Sequence, residues 1–216
     1  MSAATTTLSD PWEMALIHRL IQRGFVQARD AVASVPAGDR VAAVATYVEF
    51  HLVGLQAHHS TEDELLWPAL HARASMANGL IDRMEGQHGA IHVAVERVRQ
   101  LLPGWTSAPT AGASSELSAA LDAVIETLSV HLADEERDVV PLIAAHITQA
   151  EWDHLGKVAF SKFEPAQRLT AMGELLAAAS PDQAARMLAT VPLPVRLIWR
   201  SIGRRKYERA MVAVRG

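Results

Sequence analysis

His58-His59-Ser60-Thr61-Glu62-Asp63-Glu64-Leu65-Leu66-Trp67-Pro68 and His131-Leu132-Ala133-Asp134-Glu135-Glu136-Arg137-Asp138-Val139-Val140-Pro141 are two versions of one phrase. Each places a glutamate four residues after a histidine and a proline ten residues after it. Side chains four apart on a helix share a face, so each His–Glu pair can reach one site. Each pair also interrupts an apolar stripe. Val41, Val44, Val48, His51, Leu55, His58, Glu62 and Leu65 recur at helical spacing, as do Leu117, Leu121, Val124, Leu128, His131, Glu135 and Leu142. A glutamate on a core-facing stripe is costly unless it is paired or bound to a cation.

Two further stripes flank these. Met14, His18, Ile21, Phe25, Ala28, Val32 and Val35 form one; Ile81, Met84, His88, Ile91, Val95, Val98 and Leu102 form the other. A histidine breaks each of them, and His92 follows His88 by one turn. The stripes predict an all-α, up-down four-helix bundle over residues 10–147. Asp10-Pro11 opens the first helix, which runs to about Val35 before Pro36-Ala37-Gly38. The second runs from Asp39 to about Ser75, kinked or ended near Pro68. The third covers about Leu80 to Leu102, and Pro103 to Ser115 reads as a loop. The fourth runs from there to about Ile147. Counted from the shared breaks, His18 lies about 18 residues before the first and His58 about 19 after it, so they sit at one level. Similar counts bring His88 and His131 near that level.

The chain has 216 residues and no cysteine, which excludes disulfides, zinc-thiolate sites, iron-sulfur clusters and a cysteine nucleophile. No charged-then-apolar leader opens it, and no run is apolar for long enough to span a membrane, so a cytoplasmic protein is expected. Residues 1–159 carry 10 Lys/Arg against 20 Asp/Glu; residues 160–216 carry 10 against 4. The acidic body and the absence of a recognisable motif argue against nucleic acid.

The candidate metal ligands are His18, His58, Glu62, His88, His92, His131 and Glu135. Imidazole and carboxylate without thiolate suit iron, manganese or zinc. Seven ligands exceed one ion and fit two ions bridged by the two carboxylates. Such a pair keeps open coordination and net positive charge, which suits an oxo or hydroxo bridge, dioxygen, peroxide or nitric oxide. His51 and Tyr47 read as buried, hydrogen-bonded neighbours of the site. His59 is expected to point elsewhere, into solvent. His71, His146 and His154 lie off the site level, and Asp63, Glu64 and Asp134 read as a solvated face.

With His18, His58-x-x-x-Glu62, His88-x-x-x-His92 and His131-x-x-x-Glu135 in order on successive helices, the chain resembles the hemerythrin family over about residues 10–147. The resemblance implies a non-haem di-iron centre. His18 and His58 would serve one iron, and His88, His92 and His131 the other. Glu62 and a carboxylate after His131 would bridge them. Oxygen-carrying hemerythrins have an aspartate five residues after the last-helix histidine. Here that position is Glu136, and Glu135 stands at the four-residue spacing common in the bacterial hemerythrin-like branch. The resemblance thus points away from oxygen transport. It points to a protein that binds, senses or reduces a small oxidant, weak peroxide or nitric oxide turnover included. The alternatives are a metal-responsive interaction module and an iron buffer without turnover.

Residues 148–216 read as a helical C-terminal extension that opens on a capping box, Thr148-x-x-Glu151. Near its end Arg196, Arg200, Arg204, Arg205, Lys206 and Arg209 interleave with Leu193, Leu197, Ile198, Trp199, Ile202 and Tyr207. The expectation is that the apolar side docks on the bundle and the charges meet its acidic body. The rival is a basic amphipathic helix that lies on a membrane or grips a partner protein.

Overall fold

The computed structural model describes residues 7–216. Helices α1 (Glu13–Ala33), α2 (Asp39–Thr61), α3 (Trp67–Arg73), α4 (Asn78–Ser107), α5 (Ala111–Asp134) and α6 (Val140–His146) build the bundle. The extension adds α7 (Gln149–Ser161), α8 (Arg168–Ala178), α9 (Pro181–Thr190), α10 (Leu193–Ile198) and α11 (Arg204–Arg215). There is no strand among the described residues, only an isolated bridge between Leu8 and Thr148. In the ring of four, α5 packs against α1 and α4, and α2 closes the circle against the same two helices. No helix among the described residues is long and apolar enough to cross a membrane.

The second and fourth bundle helices do not break at their prolines. Each carries a five-residue π-helical turn first, Glu62–Leu66 before α3 and Glu135–Val139 before α6. Pro68 and Pro141 have no N–H to offer four residues back, and their rings crowd the carbonyl there. The wider turn relieves this: the Trp67 amide donates to the Glu62 carbonyl and the Val140 amide to the Glu135 carbonyl, five residues back in each case. One residue is thereby inserted into each helix. The core-facing positions beyond the turns become Leu66 and Leu70, Val139 and Ile143, all fully buried, whereas Leu65 and Leu142 are only partly buried. The expected loop at 103–115 shrinks to residues 108–110. Helix α4 continues through Pro103 because Trp105 is buried and its indole N–H donates to Ser114 Oγ at 2.9 Å.

Two apolar clusters fill the bundle. One runs through Ile21, Phe25, Val48, Leu55, Ile91, Val95, Leu121 and Leu128. The other gathers Met14, Leu66, Trp67, Met84, Val139 and Ile143 around the π turns. Between them lies a layer of histidines and glutamates.

The extension packs back on the bundle. Its capping box forms as expected, with the Thr148 side chain accepting from the Glu151 amide and the Glu151 carboxylate from the Thr148 amide. Arg23 of α1 donates to Glu174 of α8 at 2.7 Å, and Tyr207 Oη donates to the other oxygen of that fully buried carboxylate at 2.9 Å. Arg40 donates to the Val214 carbonyl at 3.0 Å. Trp199, Gly203, Met211 and Val214 are buried by this docking, but Leu193, Leu197, Ile198 and Ile202 stay exposed. The expected docking of the apolar side thus covers only one of its faces.

Candidate metal centre

Six of the seven candidate ligands meet in the polar layer. Two groups of donors form there, each with its ligand atoms within 4.8 Å of one another: His59, Glu62, His88 and His131 in one, His18, His58 and Glu135 in the other. The two glutamates stand between the groups. Glu62 Oε1 lies 3.3 Å from His58 Nδ1 and its Oε2 3.6 Å from His88 Nε2. Glu135 Oε2 lies 3.2 Å from His18 Nε2 and 3.7 Å from His131 Nε2. Each carboxylate therefore faces one histidine of each group.

His92 departs from the expectation. The buried stripe of α4 runs Met84, His88, Ile91, Val95, so a residue four beyond His88 rotates off it, and His92 is exposed. His59 departs in the opposite sense, because it is buried rather than solvated. Helix α2 occupies a corner of the bundle, so consecutive residues straddle its inward line. His58 turns to His18, with ring centroids 5.3 Å apart, and His59 stacks on His88 at 4.0 Å and meets His131 at 5.1 Å. His59 stands three residues before Glu62 as His58 stands four before it, and both are helical-neighbour spacings. That doubled spacing is the signal for His59 that a single stripe does not register.

Three of the site histidines are held from behind. His18 Nδ1 meets Glu136 Oε1 at 2.8 Å, His88 Nδ1 meets Asp63 Oδ1 at 2.7 Å, and His131 Nδ1 meets Gln87 Oε1 at 3.1 Å. Gln87 in turn donates to Asp134 at 3.0 Å, and the Trp67 indole N–H to Asp63 at 3.1 Å. An acceptor at Nδ1 fixes each ring with its Nε2 turned inward, and the Nε2 atoms of His88 and His131 meet each other at 3.2 Å. Asp63 and Asp134 thus orient the site rather than only meeting solvent, while Glu64 pairs with Lys162 at 2.9 Å. Glu136 is partly exposed behind His18, and Glu135 is the carboxylate that points into the layer.

The inward atoms have too few partners. Both oxygens of Glu62 and of Glu135, and Nε2 of His18, His58 and His59, are buried without a hydrogen bond. Unpaired buried carboxylate oxygens are among the most costly groups a core can hold, and a cation at this point satisfies them together. The protonation equilibria carry the same demand. Burial lowers His58 to about 3, His131 to about 4 and His59 well below its ordinary value, so all three present neutral imidazole. Burial also opposes charge on His18, but the Glu135 and Glu136 carboxylates raise it to about 9. Burial and the neighbouring Glu135 push Glu62 well above the usual carboxylate range, whereas the His18 imidazolium holds Glu135 low against its own burial. Within the layer a positive charge is favoured at His18, beside the two carboxylates, while the other buried imidazoles stay neutral donors. Nitrogen and carboxylate donors of this kind fit iron, manganese or zinc.

The remaining histidines stand apart. His51 is buried against Phe25, Tyr47 and Phe50, directly over Gly24, where a Cβ would run into its ring. It lacks the expected hydrogen bond at Nε2. The Tyr47 hydroxyl donates to Gln27 at 2.8 Å. His71 meets Asn78, Asp82 and Glu85 at the surface. His154 is exposed and His146 half-buried.

Among curated proteins and solved structures the chain finds no match. The profile of the hemerythrin HHE cation-binding domain matches residues 12–143, which spans α1 through the buried Ile143 of α6 and every residue of the two donor groups. The donor layer between the two apolar clusters fits a metal site, and the chain belongs to the hemerythrin HHE cation-binding domain family.

Proposed function

We propose that the layer holds two iron ions, one in each donor group, and that the protein binds or reduces a small oxidant such as dioxygen, peroxide or nitric oxide. The observation that carries this is the position of Glu62 and Glu135, each of which faces a histidine of both groups. Carboxylates so placed would be shared by two ions, with the histidines of each group completing the donors to one of them. Two irons supply one-electron steps and open coordination positions. Three histidines in one group and two in the other leave more room at the His18–His58 side.

The chain's own residues set the conditions. Glu136, Asp63 and Gln87 hold three imidazoles with Nε2 inward, so the donors are arranged before any ion arrives. The apolar clusters above and below exclude water and keep the layer poor in competing ligands. Burial keeps His58, His59 and His131 neutral and ready to coordinate near neutral pH.

Metal content and the visible spectrum of protein from iron-supplied cells test the proposal, alongside a His58→Ala, Glu62→Ala variant. About two irons per chain with oxo-bridge absorption bands, both lost in the variant, are expected. A single zinc unaffected by the variant, or iron without those bands, overturns it.

A further inference from the structure

The last helix of the chain has two different faces. Residues 193–215 run as one rod, α10 and α11 joined by a π turn at Trp199–Gly203. Its inner stripe is Trp199, Gly203, Tyr207, Met211 and Val214, set on the body of the protein. Gly203 permits that seating, since a Cβ there would lie 2.7 Å from the Trp199 ring and 3.3 Å from Leu169. The opposite stripe is Ile198, Ile202, Arg205, Arg209 and Val212, and every one of these is exposed.

This outer face is unusual in both composition and charge. Leu193, Leu197, Ile198 and Ile202 are 59%, 55%, 50% and 62% exposed. Of the twelve large apolar side chains exposed among the described residues, six lie on this one rod, so the exposure is concentrated rather than scattered. Basic residues surround them. Arg200, Arg205, Lys206 and Arg209 form no salt bridge among the described residues, and the sole acid of the rod, Glu208, is engaged by Arg204 at 2.7 Å.

We infer that this face is a docking surface for an anionic phospholipid bilayer. The depression on this face, lined by Arg205, Glu208, Arg209 and Val212, is open and mostly basic, which suits lipid headgroups better than an enclosed peptide side chain. Aliphatic side chains at its N-terminal half and guanidinium groups at its C-terminal half match the two layers of a membrane interface, acyl chain and phosphate. The charge of the rest of the molecule sets the orientation. Residues 1–159 carry twice as many acids as bases and are repelled by the same surface that attracts the rod. The protein therefore meets the bilayer tail first, with the donor layer turned away. This inference is independent of the metal bound and of the oxidant proposed above.

Flotation of the full chain with phosphatidylcholine vesicles, with and without phosphatidylglycerol, tests it. Association with the phosphatidylglycerol vesicles, weakened by salt, is expected. Arg205→Gln with Arg209→Gln lowers partitioning by roughly thirtyfold, from two basic side chains removed from the surface. Ile198→Ser with Ile202→Ser, which leaves every charge in place, lowers it by roughly tenfold. Both pairs are exposed, so circular dichroism and the melting midpoint stay at the wild-type level and exclude a folding defect. Absence of vesicle binding, equal binding to neutral vesicles, or equal binding by the variants overturns the inference. Self-association by light scattering that both variants abolish, without vesicle binding, assigns the face to a second copy of the chain and overturns it too.

Discussion

His59 and His92 offer the sharpest test of the site, because the pattern of spacings favours one and the packing favours the other. His59→Ala removes a buried imidazole that stacks at 4.0 Å on His88 and leaves its donor group with one histidine fewer. His92→Ala removes an exposed ring that belongs to neither group. Loss of even an outer partner of a metal ligand weakens affinity by roughly 10–100-fold, and a direct donor should reach at least the upper end. With free Fe(II) at about 100 times its dissociation constant, bound metal stabilises the fold by about 2.7 kcal/mol, and a hundredfold weaker site loses nearly all of that. For a domain of this size each kcal/mol moves the melting temperature by about 2–4 °C, so the iron-induced shift shrinks by roughly 5–10 °C in His59→Ala. The measurement is a pair of anaerobic melts, with and without Fe(II), for each variant. Comparing each variant with itself removes the packing cost of the lost ring. His92→Ala should keep the wild-type shift. A full shift in His59→Ala together with a lost shift in His92→Ala would refute the reasoning from burial.

Two further outcomes follow from packing and from a surface ion pair. Gly24→Ala drives a methyl group into the His51 ring and forces α1 and α2 apart, so it should cost about 1–3 kcal/mol in a denaturant titration; an unchanged midpoint would mean that the ring moves freely. The Arg73 guanidinium, with Thr148 behind it, holds Glu151 at about 2, so the pair contributes stability above the ordinary carboxyl value of 4.5 and loses it as pH falls towards about 2. Glu151→Gln should therefore be less stable than wild type by roughly 0.2–1 kcal/mol at neutral pH. The two melting curves should converge through that acidic window, and a gap that persists below it would count against the ion pair.

The bundle is legible in the sequence because four apolar stripes share one period, and the cation site because polar residues break all four at one level. What the stripes miss is a change of phase. Leu65 and Leu142 continue the regular spacing, yet Leu66 and Ile143 are the buried residues, since a π turn adds one residue to each helix. The proline ten residues after each histidine marks that change, but a proline reads equally well as a kink. His59 and His92 exchange places for a related reason. Spacing along one helix fixes which residues share a line, and only the position of that helix in the ring decides whether the line's neighbours face inward. The loop expected at Pro103 is overridden by a buried tryptophan two residues later. The outer face of the tail is not told from the inner one by apolar spacing, since Trp199, Tyr207 and Met211 on one side and Ile198, Ile202 and Val212 on the other both recur at helical intervals, and only docking separates them.

The donor layer divides the bundle's interior into two apolar halves, and this has a thermodynamic consequence. The two clusters have no residue in common, and what joins them is helix backbone and the hydrogen-bonded polar layer. Each half can then open as its own cooperative unit, and amide exchange should divide into two classes on either side of Glu62 and Glu135. An ion that takes donors from four helices at once spans the divide and merges the two units into one. Cation availability would then set the protein's mechanical continuity, and with it the rate at which proteases gain entry.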